Sequence, residues 1–190
     1  YNFQVHYPGA GVGGPCLPVN SYQMINFAKT FGFENFSIVD TGRKINESMP
    51  SHVINLLKDA FDESGNDLKQ STVLILVVTY NPDVKDVQLT PAEPIISKLS
   101  EIGCNIKIYD PYFKNSILFG ITCESNLLES LKHSDAILVI TSHKEFHDLE
   151  PTFLKSNMKS PVVIDSRCII NQFDAKNAGL IYRGVGRGKL

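Results

Sequence analysis

The chain has 190 residues, 43% of them hydrophobic and 20% charged, with a net charge of −2 at neutral pH. This is ordinary globular composition, enough for one domain plus a smaller piece, and it offers no basic field to attract nucleic acid or an anionic membrane. No apolar run approaches the ~20 residues that cross a bilayer, no signal peptide is visible, and the four cysteines (Cys16, Cys104, Cys123, Cys168) form no C-x-x-C pair, which argues against a disulfide framework or structural zinc and fits a reducing cytoplasm.

The first segment along the chain, Tyr7-Pro8-Gly9-Ala10-Gly11-Val12-Gly13-Gly14-Pro15-Cys16-Leu17-Pro18, concentrates the chemistry. Gly9, Gly11, Gly13 and Gly14 lack Cβ atoms, so main-chain N–H groups can approach a ligand closely. Cys16 ends the loop, between Pro15 and Pro18. A lone cysteine is most often a small buried apolar residue, but one on a glycine cradle reads as a nucleophile held against an anionic substrate. Gly9-x-Gly11-x-x-Gly14 also spells the dinucleotide fingerprint. That fingerprint needs a buried strand before it, a helix opening at its third glycine and an acid about 20 residues on. Here the preceding segment is short and polar, Pro18 is expected to break any helix starting there, and Glu34 and Asp40 are wrongly placed for the acid.

Tyr22–Phe31 is expected to form a short helix. After Gly42, Ile45, Met49, Val53, Leu56, Leu57, Ala60 and Phe61 recur at helical spacing, with a start at Ser48–Pro50. This first piece, residues 1–63, has too little apolar surface to stand alone. Its helix face must pack on the second piece, on further sequence or on another subunit. Because residue 1 is Tyr and a catalytic-looking loop follows at once, the chain is expected to be part of something longer or a processed product.

A polar stretch, Glu63-Ser64-Gly65-Asn66-Asp67, opens the second piece, residues 64–190. Val73–Tyr80 is almost continuously apolar, as in a strand buried on both faces. A helix over Pro91–Ile102, a strand over Asn105–Asp110, a helix over Leu127–Lys132, a strand over Ala136–Thr141, a helix over Lys144–Ser156 and strands over Val162–Asp165 and Leu180–Tyr182 follow. This alternation predicts an α/β fold with a doubly wound sheet. Ligands in such sheets bind beyond the carboxyl ends of the strands, so Tyr80-Asn81-Pro82-Asp83, Asp110-Pro111-Tyr112, Thr141-Ser142-His143 and Asp165-Ser166-Arg167 form the candidate rim. Asp110 and Asp165 there suit either ribose hydroxyls or turn and cap roles. His143 and His147 lie four apart with no third metal ligand evident, so no metal is expected. Arg183, Arg187 and Lys189 suit either phosphates or plain surface.

Taken together, these segments resemble the C-terminal half of the UDP-glucose/GDP-mannose dehydrogenase family. Pro8 to Val19 resembles the family's catalytic-cysteine loop, in the form closest to members acting on UDP-N-acetylhexosamines. Arg43-x-Ile45-Asn46-x-Ser48-Met49-Pro50 is similar to the central-domain helix that follows it. Pro82-Asp83-Val84-x-Asp86, Tyr109-Asp110-Pro111-Tyr112, Thr141-Ser142-His143-x-Glu145-Phe146 and Tyr182-Arg183-Gly184-Val185-Gly186-Arg187-Gly188 resemble the nucleotide-sugar-binding domain. The resemblance implies a Rossmann-like UDP-sugar-binding domain preceded by a helical segment of a central dimerisation domain, with a homodimer formed through residues 43–62. It also implies an NAD-dependent, four-electron oxidation of a sugar C6 alcohol to a carboxylate. In that chemistry the Cys16 thiolate adds to the aldehyde, the thiohemiacetal loses a second hydride, and water hydrolyses the thioester.

Carried over by position, the resemblance makes Cys16 the nucleophile and Val5, His6, Tyr7, Pro8, Gly9 and Gly13 substrate contacts, with Tyr80 and Asn81 also on the substrate. Three positions depart from the family pattern. Asn20 stands where an Asp handles water, Asn81 where a Lys binds substrate, and Gln88 where an Arg faces the cofactor. An amide cannot act as a general base, and each lost charge-assisted hydrogen bond costs roughly 1.5–3 kcal/mol. The family's NAD-binding domain precedes the matching region, so these 190 residues alone are expected to be inactive.

Overall fold

The sheet grows from the most continuously apolar segment of the chain. In the computed structural model, which describes residues 6–188, β1 (Thr72–Leu76) is buried beyond its first residue. It pairs in parallel with β2 (Asn105–Tyr109) on one side and β5 (Ala136–Val139) on the other. Outside β2 lie β4 (Ile121–Glu124) and the antiparallel β3 (Ile117–Leu118), and beyond β5 come β6 (Val162–Asp165) and β7 (Ile181–Gly184). The order is therefore β3-β4-β2-β1-β5-β6-β7. Winding reverses between β1 and β5, where a doubly wound sheet opens a crevice at its carboxyl edge.

Alternation along β1 sorts side chains into two layers. Val73 and Ile75 join Val53, Leu57 and Phe61 of α2 (Ser37–Ser64) and Ile95 and Leu99 of α3 (Ala92–Ile102). Leu74 and Leu76 join Leu131 of α4 (Leu127–Lys132), Leu154 of α5 (Pro151–Asn157) and Ala175 of α6 (Gln172–Asn177). This is the Rossmann-like three-layer fold that the strand–helix rhythm predicts. The apolar face of α2, left without an assigned partner by the sequence, is covered by the sheet itself. Arg183 of β7 adds a polar tie: its buried guanidinium donates to Asp59 at 2.6 Å and to Glu63, both on α2.

Several boundaries differ from the sequence expectations for local reasons. α1 spans Cys16–Thr30 and contains Pro18, which therefore does not break it. Pro18 is only the third helical residue, where an N–H would have no intrahelical acceptor to lose. α2 begins at Ser37 rather than near Ser48 and runs through Pro50. Pro50 deprives the Asn46 carbonyl of its helical donor, and the glycine loop docks there, with that oxygen 3.4 Å from where a Gly11 Cβ would stand. β1 stops at Leu76 because Val77 turns to φ 63° and the Val78 N–H is taken by the Asp110 carboxylate at 3.1 Å. The helix expected over Lys144–Ser156 divides into a short 3₁₀ turn (Lys144–Phe146) and α5, which restarts with Pro151 in its first turn. The β3–β4 hairpin, turning at Phe119 and Gly120 with φ 52° and 78°, and α6, capped by Asn171, were not expected.

The seating of α2 on the sheet predicts an asymmetry along that helix. Leu57 is fully buried whereas Ile38 is 87% exposed. Leu57→Ala is expected to cost about 2–5 kcal/mol and Ile38→Ala less than about 0.5 kcal/mol in urea unfolding. Equal losses would contradict this seating.

Candidate functional site

Backbone chemistry fixes the glycine loop before any ligand is considered. The Asn46 side chain accepts the Val12 N–H at 2.7 Å and donates back to the Val12 carbonyl at 3.1 Å, tying the loop to α2. The Gly14 N–H donates to the Gln88 carbonyl at 3.0 Å, tying it to the segment after β1. A Cβ on Gly13 would stand 2.3 Å from the Leu89 carbonyl, and one on Gly14 would stand 2.7 Å from the Tyr80 ring. These glycines let the loop approach protein backbone and an aromatic ring. That gives them a packing role beside any approach of their N–H groups to a ligand.

Between this loop and the carboxyl edge of the sheet lies a cavity of about 510 Å³. Its wall brings together His6, Tyr7 and Gly13 from the loop, Tyr80, Asn81 and Pro82 after β1, Ile140 and Thr141 after β5, and Arg167 after β6. Thr141 donates to the Thr79 carbonyl at 2.7 Å, and Thr79 donates to the Asn81 carbonyl at 2.9 Å, so two strand ends are stitched together behind Asn81.

Arg167 is presented by a buried acid. The two Asp165 oxygens accept the Arg167 N–H at 3.0 Å and the Ile170 N–H at 2.9 Å, and the Tyr182 hydroxyl donates to the same carboxylate at 3.3 Å. Burial pushes the Asp165 carboxyl above the usual carboxylate range, with its backbone donors opposing that shift. Burial, then the nearby Asp165, raises the Tyr182 hydroxyl. The Arg167 guanidinium has neither an ion pair nor a hydrogen-bond partner among the described residues, and its Nε is buried. It stands 2.9 Å from where a Gly9 Cβ would be, so Gly9 leaves it room. A cation at a cavity wall with no internal partner suits an anionic ligand group.

A second polar cluster lies behind Asn81. His143 is fully buried; its Nδ1 accepts the Asp83 N–H at 2.9 Å and its Nε2 faces Asp110 Oδ1 at 3.4 Å. Asp110, also fully buried, accepts the Val78 and Tyr112 N–H groups as well. The Lys144 N–H donates to Asp83 at 3.0 Å and holds its carboxyl below the usual range.

The remaining sequence candidates fall as follows. Cys16 is exposed as the first residue of α1, and among the described residues its neighbour Leu17, not Cys16, lines the cavity. Asn20 is exposed one turn further along α1. Pro8 and Gln88 are exposed and outside the cavity wall; Gln88 contributes its backbone, donating to Asp86 at 2.9 Å and accepting from Gly14. Val5 and Lys189 lie outside the described residues. Asp110 and Asp165 take the turn-and-cap role, and Arg183 takes an internal one against α2 rather than a phosphate or surface role. Arg167 falls on the rim by sequence alone, but its function does not follow from its position there. The missing signal was its lack of an acidic partner, which only the fold reveals.

A smaller cavity of about 470 Å³ shares Gly11 and Val12 and is bounded by Tyr22, Arg43, Glu47 and four prolines. Its charges are internally matched: Arg43 pairs with Glu47 at 3.3 Å and lies over the Tyr22 ring, and the Tyr22 hydroxyl donates to Glu47, which raises that hydroxyl.

Comparison with known proteins agrees with this geometry. Residues 74–172 match the UDP-glucose/GDP-mannose dehydrogenase family, UDP binding domain, and residues 1–48 match the central domain of the same family. The UDP-N-acetyl-D-mannosamine dehydrogenase of Methanococcus aeolicus is 32% identical over 185 residues, covering 96% of this chain and 40% of that protein. That of Pyrococcus horikoshii is 29% identical over 187 residues, covering 98% and 41%. The crystal structure of NDP-N-acetyl-D-galactosaminuronic acid dehydrogenase from Methanosarcina mazei superposes with a TM-score of 0.86 at 30% identity, over 96% of this chain and 40% of the other. The chain thus spans about two fifths of the length of the curated relatives it matches.

The close approaches at Gly13 lead to a stability prediction. Gly13→Ala is expected to cost about 1–3 kcal/mol, because backbone at Leu89 must shift, and to lower the thermal midpoint. Gly42→Ala, with nothing within 4 Å of the new methyl, is expected to stabilise by about 0.5–1 kcal/mol through helix propensity. A neutral Gly13→Ala would show that the loop is not seated as described.

Proposed function

This chain belongs to the UDP-glucose/GDP-mannose dehydrogenase family, and from that premise we propose that it is the sugar-nucleotide-binding, thiol-bearing part of an NAD-dependent nucleotide-sugar 6-dehydrogenase whose substrate is a UDP-N-acetylhexosamine. The observation that carries the reading is the unpartnered Arg167 guanidinium on a cavity that also gathers His6, Tyr7, Tyr80 and Asn81. A diphosphate satisfies that cation, and Tyr7 and Tyr80 supply flat apolar surface for a base or a sugar ring. In the full reaction NAD takes the hydrides. The glycines of Gly9-x-Gly11-x-x-Gly14 are not laid out as a dinucleotide site, because among the described residues they are filled against Arg167, Pro91 and Tyr80. What the chain supplies is the cavity and, at its edge, the exposed Cys16 thiol, with Asn20 on the same helix face one turn on.

In this reading residues 1–63 are the end of the central domain and residues 64–190 are the UDP-binding domain. Dimerisation through residues 43–62 uses the side of α2 that carries exposed Ile45, Ser48, His52 and Asn55, since the opposite side is taken by the sheet. Among the described residues no helix is long and apolar enough to cross a membrane, and four free thiols accord with a cytoplasmic enzyme. A second reading, nucleotide-sugar binding without turnover, is favoured by the neutral amides Asn20, Asn81 and Gln88.

Calorimetric titration decides between binding and its absence. UDP and UDP-N-acetylhexosamines are expected to bind the 190-residue chain, and Arg167→Ala is expected to weaken binding about tenfold or more, as for loss of one charge-assisted hydrogen bond. The same chain is expected to form no NADH from NAD and a UDP-sugar. Heat absent with every nucleotide, or unchanged in Arg167→Ala, would overturn the assignment.

A further inference from the structure

We propose that His143 is a positioning residue for the nucleotide-sugar cavity: it fixes the Tyr80–Asp83 wall by accepting the Asp83 N–H. The inference rests on the cavity assignment above but concerns a residue that does not touch the cavity.

The geometry makes His143 the meeting point of three strand ends. From the segment after β5, its Nδ1 accepts the Asp83 N–H at 2.9 Å. An acceptor nitrogen carries no hydrogen, so the ring hydrogen sits on Nε2, which faces Asp110 Oδ1 at 3.4 Å. Asp110 follows β2 and is locked by the N–H groups of Val78 and Tyr112. The Tyr112 ring lies 4.4 Å from the imidazole and Phe146 lies 6.5 Å away, which leaves His143 no freedom to turn.

The wall it holds needs holding. Asp83 sits at φ 58°, in the left-handed region that a non-glycine residue occupies at a cost. Tyr80, Asn81 and Pro82 immediately before it all line the cavity. The other end of the segment is stitched through Thr79 and Thr141. With both ends tied, Asn81 and Tyr80 present a fixed surface; with the Asp83 end released, the strained turn relaxes and that surface is lost. Asp83 also accepts the Lys144 N–H, so the residue next to His143 reinforces the same tie.

Two substitutions separate positioning from mere packing. His143→Asn keeps an acceptor oxygen near where Nδ1 stood but removes the ring and with it the Asp110 contact. His143→Leu fills space without any acceptor. Both are expected to lower the melting temperature. Only His143→Leu is expected to speed amide hydrogen exchange across residues 80–83, by about tenfold or more, and to weaken UDP binding by about tenfold; His143→Asn keeps both within about threefold of wild type. Unchanged exchange at 80–83 in His143→Leu, or the same exchange and affinity in both variants, would overturn the proposal. Hydrogen exchange is read on ligand-free protein. If wild type gives no heat with UDP, the cavity assignment falls, while the exchange comparison still decides whether His143 orders the wall.

Discussion

The fit of one helix face onto one sheet face governs what the rest of this structure can do. Val53, Ile54, Leu57, Ala60 and Phe61 bury completely or nearly so against β6, β7 and α3. Each large side chain among them contributes about 1.5–3 kcal/mol of burial, and the Arg183 tie to Asp59 and Glu63 fixes the end of the helix. The same helix carries Asn46 two turns earlier, and Asn46 holds the glycine loop. The loop therefore inherits its position from hydrophobic burial at a distance. The two amide bonds at Val12, at about 1 kcal/mol each, select the register of the loop but could not anchor it alone.

The carboxyl edge of the sheet handles its buried polar groups in two contrasting ways. Asp110 and Asp165 are buried acids, yet each accepts two backbone N–H groups. They convert the frayed ends of β2 and β6 into fixed turns, the usual condition for a polar group away from water. Arg167, held by one of those turns, is left without a partner among the described residues. Local consistency is broken at the cavity and kept around it, which is the pattern expected of a binding site. The second cavity differs in charge balance: Arg43, whose Nε is likewise buried without a hydrogen-bond partner, pairs with Glu47 through its terminal nitrogen, and Tyr22 donates to the same carboxylate.

Charge at the site is correspondingly sparse. Asn81 on the wall is a neutral amide, and neither Gln88 nor Asn20 reaches the cavity with its side chain. An anionic ligand would be held by one guanidinium, the Asn81 amide and aromatic surface. That arrangement leans on a well-ordered wall, since shape must supply what charge does not. It gives weight to the stitching of Tyr80–Asp83 from both ends.

Much of this was legible along the chain, and the reason is periodicity. The alternating fold class, α3, α4, β2, β6 and the rim segments followed from apolar spacing and turn residues, because those signals act over a few neighbours. Cys16 at the mouth of a glycine loop was equally readable. Misplaced boundaries clustered at prolines and strand ends. Pro18 is tolerated because its missing N–H falls in the first helical turn, Pro50 lies within a helix that runs through it, and β1 stops early because Val77 turns and the Asp110 carboxylate, just after β2, takes the Val78 N–H. Three-dimensional placement alone decided that α2 covers the sheet, that Gly13 and Gly14 serve Tyr80 and Leu89, and that Arg167 has no acid beside it. Each of those depends on residues tens of positions apart meeting, and local sequence carries no record of the partner a side chain meets or lacks.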